Sequence, residues 1–376
     1  MDKVNHIHSI LLLSIYLIFS YSCSNSQQLP DKEMIEIDMA LCDTIIFDSL
    51  IKEISCIKLE SENVPTFDFC KRMVRYENNF YLLAGNEVFI YDNSGKFQKR
   101  ITFRDILFLS TLIVEPALQQ LWIISDFTTL NKYELDGTFI SKTTLPFPCV
   151  DLALTDNQEY LVYDGWFNKE WDYSIALTDL SSPHKFFLQK EKKNRTQVIP
   201  QSLFASDMNS GNIYILPDRS DIIHYYNPEK EEVKPYLHLN FHGDFLTENK
   251  YPEGGFTDKE MADIINQRRF ITSVYSFYWV SNRLFFKLSG KWDNFCTVYL
   301  PDLSLKHFNR MFDNLSPTTY NPFIGSDGKN LYCVLKESDL VKHYQDNECG
   351  YPAIQQLLPS LSLEGNSWVL FAIEIK

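Results

Sequence analysis

Short apolar runs punctuated by polar turns recur along this chain, and the interval between them predicts its architecture. The clearest copies are Phe80-Tyr81-Leu82-Leu83 followed by Val88-Phe89-Ile90-Tyr91-Asp92-Asn93-Ser94-Gly95, and Leu121-Trp122-Ile123-Ile124 followed by Leu130-Asn131-Lys132-Tyr133-Glu134-Leu135-Asp136-Gly137. Runs this short, bounded by Asn, Asp, Gly and Ser, are the grammar of antiparallel hairpins. Repetition at roughly 40–50 residues marks a propeller, whose blades are four-stranded sheets set around an axis. Aligning the second strand of each unit places Tyr81, Trp122, Leu161, Tyr214, Phe285 and Tyr332 in register behind polar turns, which predicts six blades. The expected fold class is all-β: a six-bladed β-propeller over residues 51–376.

The longest interval between anchors, from Tyr214 to Phe285, carries the one helical pattern. Thr257 with Glu260 has capping-box spacing, and Met261, Ile264 and Ile265 follow at helical intervals. A short helical insertion between blades four and five is expected from His238 to Phe270, turning at Tyr251-Pro252-Glu253-Gly254-Gly255. It either packs on the rim or covers a central pocket. A propeller must also close, since an open seam leaves backbone donors and acceptors unpaired. Ile54-Ser55-Cys56-Ile57-Lys58-Leu59 and Trp368-Val369-Leu370-Phe371-Ala372-Ile373-Glu374-Ile375 are the strand-like candidates for that seam. The 21 Tyr and 28 Phe supply large rings for the wedges between blades.

Residues 1–22 read as an export signal. Lys3 precedes an apolar stretch from Ile10 to Phe19, too short to cross a bilayer as a helix. It runs into Ser20-Tyr21-Ser22-Cys23, which resembles a bacterial lipobox and implies acylation of Cys23 as the anchor; an ordinary cleaved signal is the alternative. Residues 23–50 are expected to form a tether and N-terminal segment, polar from Ser24 to Pro30. Against 35 Lys and Arg stand 49 Asp and Glu, a formal net charge of −14. With no basic cluster, nucleic acid and anionic membrane surface are poor partners. Membrane contact is expected through the acyl anchor alone, at the cell envelope. The outer membrane is favoured because Ser24 is not Asp, and the leaflet stays open.

Beyond Cys23, the thiols of Cys42, Cys56, Cys70, Cys149, Cys296, Cys333 and Cys349 show no C-x-x-C or Cys/His metal spacing. Cys296 and Cys333 lie in apolar strand phrases, where a free cysteine acts as a small hydrophobe. One disulfide among Cys42, Cys56 and Cys70 stays open for an exported chain.

The repeated phrase Ile90-Tyr91-Asp92-Asn93-Ser94-Gly95-Lys96-Phe97, together with the lipobox ending at Cys23, resembles the six-bladed β-propeller lipoproteins of Bacteroidota and, more distantly, the NHL-repeat propellers. The resemblance covers roughly Ile51 to Lys376. It implies an exported, membrane-anchored binding scaffold and transfers no active-site residue. Asp43-Thr44-Ile45 and Asp48-Ser49-Leu50 also resemble the short O-glycosylation acceptors of those bacteria.

In a propeller, the turns joining second to third strands share one rim with the blade-to-blade crossings. On that rim the candidate ligand-binding residues are Asp164, Trp166, Trp171, Arg219, Lys291, Trp292 and Lys336. Indole rings beside charged groups suit sugars or peptides, the ring giving flat apolar area and the charges fixing orientation. The same rings could instead be buried as caps on the blade ends. Glu115, Asp151 and Asp207 fall near inner strands and are the candidates for a Ca²⁺ site or for channel acid–base chemistry. No other metal or cofactor is expected, and no H-E-x-x-H, G-x-S-x-G, P-loop or dinucleotide fingerprint occurs. The leading expectation is a monomeric, non-catalytic propeller that binds a glycan, a peptide or outer-membrane uptake proteins. A hydrolase or lyase using channel carboxylates is the alternative.

Overall fold

The computed structural model describes residues 34–376 apart from 42, 63–66, 68, 156–157, 166, 168–169, 191–201, 208–210, 218–219, 247–256, 292–294 and 309–322. Three strands come first: β1 (Ile35–Asp38), β2 (Asp43–Thr44) and β3 (Ile51–Lys58). Blade one follows as β4 (Arg72–Tyr76), β5 (Asn79–Ala84), β6 (Glu87–Asp92) and β7 (Phe97–Thr102). Blade two is β8 (Leu109–Glu115), β9 (Gln120–Ser125), β10 (Thr129–Glu134) and β11 (Phe139–Thr144). Blade three is β12 (Asp151–Leu154), β13 (Tyr160–Tyr163), β14 (Tyr173–Thr178) and β15 (Pro183–Gln189). Blade four is β16 (Phe204–Asp207), β17 (Asn212–Ile215), β18 (Ile222–Asn227) and β19 (Glu232–Asn240). Blade five is β20 (Ile271–Val280), β21 (Arg283–Gly290), β22 (Phe295–Tyr299) and β23 (Ser304–Phe308). Blade six is β24 (Phe323–Ser326), β25 (Asn330–Lys336) and β26 (Trp368–Ile375), with β3 as its fourth strand. The first strands touch in a closed circle, β4–β8–β12–β16–β20–β24–β4, so they line the axis and the fourth strands form the outside.

The seam closes as the two terminal apolar runs predict. β26 pairs antiparallel with β3, placing Phe371 opposite Cys56 and Ile373 opposite Ile54. The Lys376 amide donates to the Leu50 carbonyl at 2.9 Å. In blade one, the third-to-fourth turn is held by Asp92 Oδ1, which accepts from the amides of Ser94 at 2.9 Å and Lys96 at 3.1 Å. Gly95 in that turn has φ +83°, and a Cβ there would lie 2.5 Å from the Lys58 carbonyl oxygen. Glycine thus lets the turn abut the closing strand of the neighbouring blade.

Two strands of the N-terminal segment join the sheets. β1 pairs parallel with β19 and β2 with β23, making blades four and five five-stranded. The Ile-Glu-Ile-Asp alternation of β1 suits an edge with one face covered, since strand side chains alternate between faces. Phe47 is fully buried, its ring 5.0 Å from Phe308 and 5.7 Å from Phe323.

All six anchors lie in second strands and are buried. The core is a series of wedges between neighbouring sheets. Tyr81 and Leu83 of blade one pack with Leu112, Leu121 and Ile123 of blade two; Leu161 and Leu177 of blade three pack with Ile213, Ile215 and Tyr226 of blade four. Each large side chain removed from water contributes about 1.5–3 kcal/mol, an upper figure because unfolded chains already bury some apolar surface.

Helix α1 (Asp258–Gln267) lies in the chain between β19 and β20. Its capping box forms, with Glu260 Oε2 accepting from both the amide and hydroxyl of Thr257 at 2.8 Å. His238, where the insertion was expected to begin, belongs to β19, and the turn expected at residues 251–255 lies outside the described residues. A larger correction concerns the connection from β25 to β26. It contains two helices that the sequence reading missed, α2 (Glu337–Asp346) and α3 (Pro352–Leu357). α2 has no side-chain cap at its N-terminus, so the usual start signal is missing. Leu340 and Ile354 from these helices pack into the cluster of Phe47 and Leu50, with Tyr344 and Leu357 alongside. Among the described residues no helix is long and apolar enough to cross a membrane.

Candidate functional site

Alternating strand direction sorts the connections by face. Second-to-third turns and blade-to-blade crossings emerge on one face, first-to-second and third-to-fourth turns on the other. The connections of nine residues or more, 59–71, 164–172, 190–203, 241–270, 309–322 and 337–367, all leave from strand ends on the first, here called the broad face, while on the other none is longer than residues 155–159. Loops on a rigid scaffold are where binding groups concentrate.

At the centre of the broad face a polar network ties four blades together. Arg72, first residue of β4, donates through Nη1 to Asp151 Oδ1 at 2.6 Å and to Thr111 Oγ1 at 2.5 Å. Thr111 in turn donates to Asp151 Oδ1 at 3.0 Å, and the amides of Leu152 and Leu203 donate to the two carboxylate oxygens at 3.0 Å each. The ion pair thus reaches from blade one to blade three at the channel mouth. Asp151 is buried, with three donors on Oδ1 and one on Oδ2, all strengthened by the carboxylate charge. Lys71 lies beside it and donates to the Leu109 carbonyl at 3.1 Å. Burial, reinforced by the Arg72 cation and opposed by Asp151, pushes its amine down to about 8.

Next to the mouth runs a row of half-buried phenyl rings. Phe127 lies 4.1 Å from Phe108 and 4.0 Å from Phe167 between ring centroids. The turn that presents Phe127 is strained: Asp126 has φ +48° and Phe127 φ +62°, the left-handed region that non-glycine residues avoid. Local bonds hold it there, with Asp126 Oδ1 accepting from the Leu107 amide at 2.8 Å and the Phe127 carbonyl accepting from the Cys149 amide at 2.6 Å.

The expected ligand residues fare unevenly. Trp166, Arg219 and Trp292 lie outside the described residues, as does Cys23. Asp164 sits on the expected rim but is fully buried, its carboxylate paired with the Lys190 ammonium. Trp171 packs its indole 5.4 Å from Phe147 and edge-on to Phe186 at 5.2 Å, within the wedge between blades two and three. Lys291 pairs with Asp244 Oδ2 at 2.6 Å and stays partly exposed. Lys336 lies at the N-terminus of α2 with its ammonium 5.5 Å from the Trp368 ring. Of the described members, Asp164 is buried in an ion pair, Trp171 is half-buried, and Lys291 and Lys336 lie on the surface.

The carboxylate trio does not converge. Asp151 opens its strand at the broad face, whereas Glu115 and Asp207 end theirs at the opposite face. Glu115 Oε2 accepts from the Tyr160 hydroxyl at 3.1 Å. Among the described residues no three His, Cys, Asp or Glu side chains gather closely enough to hold a metal ion.

The chain matches, over residues 23–323, the family described as 6-bladed beta-propeller. It belongs to that family. A Bacteroides fragilis protein described as exported is similar with a TM-score of 0.73 at 19% identity, covering 92% of this chain and 100% of its own. At that identity the likeness shows the fold. Virginiamycin B lyase from Staphylococcus aureus, in a catalytically inactive form with quinupristin, is similar at TM-score 0.46 and 10% identity, covering 85% of this chain and 99% of its own. A Bacteroides caccae protein of unknown function follows at TM-score 0.42 and 10% identity, covering 65% and 83%. These last two are too remote to bear on chemistry. No curated protein matches the chain.

Proposed function

We propose that this propeller is a non-catalytic binding protein of the cell envelope, anchored by acyl groups on Cys23, which takes a glycan or peptide on its broad face. The strained Asp126–Phe127 turn carries the reading. Two left-handed non-glycine residues in succession cost about 1–3 kcal/mol each, and here that cost presents a phenyl ring in a row beside the channel mouth. Phenyl faces take the apolar face of a sugar or an aromatic side chain. The Lys71 ammonium at the same mouth favours a ligand carrying a carboxylate. In this reading α1 belongs to an insertion that packs on the rim between blades four and five, and the protein acts as a monomer.

Phe127→Gly tests it. Glycine accepts φ +62° without strain, so relief of strain offsets the lost packing and stability should change by no more than about 1 kcal/mol. Titration calorimetry against uronic-acid oligosaccharides, neutral oligosaccharides and acidic peptides should show binding of an acidic ligand by the native protein. The variant should lose at least about tenfold in affinity, about 1.4 kcal/mol. If an acidic ligand binds both proteins equally, the site is elsewhere. If none binds the native protein, the reading fails.

A further inference from the structure

We propose that Cys56 and Cys349 form a disulfide bond when the folded protein meets a thiol oxidant. None of the six described cysteines is in a disulfide; Cys70, Cys149, Cys296 and Cys333 are buried, whereas Cys56 and Cys349 are half-exposed. Far apart in sequence, these two come to the same side of blade six. Both lie against the cluster that contains Leu340, Ile354 and Phe371, and α3 packs on β3, the strand that carries Cys56. Burial pushes the Cys56 thiol up to about 11, and Cys349 adds a smaller push in the same direction. Cys349 sits in the coil between α2 and α3, where its thiol makes a weak bond to the Tyr351 carbonyl at 3.6 Å. A disulfide needs Cα atoms within about 4.4–6.8 Å, and a coil can adjust to that separation without breaking a strand.

In the reaction each thiol gives up its proton, one S–S bond forms, and two electrons pass to a disulfide-bearing oxidant whose own S–S bond opens to two thiols. Because Cys56 is protonated at neutral pH, formation accelerates as pH rises. The product staples the closing strand. β3 is joined to blade six by hydrogen bonds and packing, and the bond would tie it to the connection after β25. The loop so closed spans most of the chain, the case in which a cross-link most restricts the unfolded state.

The test uses the full-length protein, incubated with oxidised glutathione at pH 8, alkylated without reduction and digested. The expected product is a linked Cys56–Cys349 peptide pair, lighter by about 2 Da than the two thiol peptides. Adding reductant should lower the melting temperature by about 5 °C or more, and the shift should be absent from Cys349→Ser and Cys56→Ser. Complete alkylation of both thiols after oxidation, pairing of Cys56 with Cys42, or a reductant-dependent shift that survives in both serine variants would each overturn the proposal.

Discussion

Asp151 shows why removing either side of one ion pair need not cost the same. Its carboxylate accepts from Arg72, Thr111 and the amides of Leu152 and Leu203. In Asp151→Ala the Arg72 cation loses its counter-ion and two backbone donors lose their acceptor, so stability should fall by about 3–5 kcal/mol. Arg72→Ala leaves the carboxylate three donors, and the loss should be nearer 1.5–3 kcal/mol. Urea midpoints of the two variants decide it, and equal losses would refute the account of the network. Asp151 was visible in the sequence only as an acidic residue near an inner strand. Its partner Arg72 is 79 residues away, and a Lys-Arg pair ahead of a strand carries no signal until the ring places blade one near blade three. Phe127 was missed for a related reason, because a left-handed Asp-Phe turn has no compositional mark, whereas the indoles of the neighbouring loops do.

The strands were legible because each blade repeats one grammar. The polar turns behind Tyr81, Trp122 and Phe285 mark the first-to-second turn in sequence, and each anchor is found buried in a second strand. β1 and β2 were not legible, since a short strand is defined by the edge it joins, and β19 and β23 lie far along the chain. α2 was hidden by its missing cap. At this scale a pH effect follows from His224 on β18. It stands opposite Ile215 in the wedge between blades three and four, and its Nδ1 has no hydrogen-bond partner among the described residues. Burial pushes its imidazole down to about 4. An unfolded His ordinarily takes up a proton near 6.5, so between about 6.5 and 4 the unfolded state binds more protons and stability falls as pH falls. His224→Leu should remove that slope, narrowing the difference in unfolding free energy between pH 7 and pH 5 by roughly 2 kcal/mol. An unchanged slope would assign the acid sensitivity to other groups.

For the whole molecule the decisive feature is that the fourth strand of blade six comes from the start of the chain. In blade one, residues 93–96 join the third strand covalently to the fourth; in blade six the corresponding junction is Lys376 against Leu50, made by hydrogen bonds. The segments on either side of Phe47 are therefore unequal in consequence. A chain starting at Ile45 lacks β1 and β2, which are extra strands on the outer edges of blades four and five, but keeps Phe47, Leu50 and β3. It should fold as a ring that unfolds at lower urea in one cooperative transition. A chain starting at Glu60 loses β3 as well. That exposes the hydrogen-bonding edge of β26, removes Ile54 from the wedge with blade five and removes Ile57 and Leu59 from the wedge with blade one, so blade six cannot close the ring. This chain should lack near-ultraviolet dichroism and elute as aggregate. A synthetic peptide of residues 45–62, added during refolding, should restore a monomeric ring by supplying the missing strand to β26, since edge pairing by an external strand uses the same main-chain hydrogen bonds. Closure from the N-terminus is refuted if the chain starting at Glu60 folds cooperatively without the peptide, or if the peptide leaves it aggregated while the chain starting at Ile45 is folded.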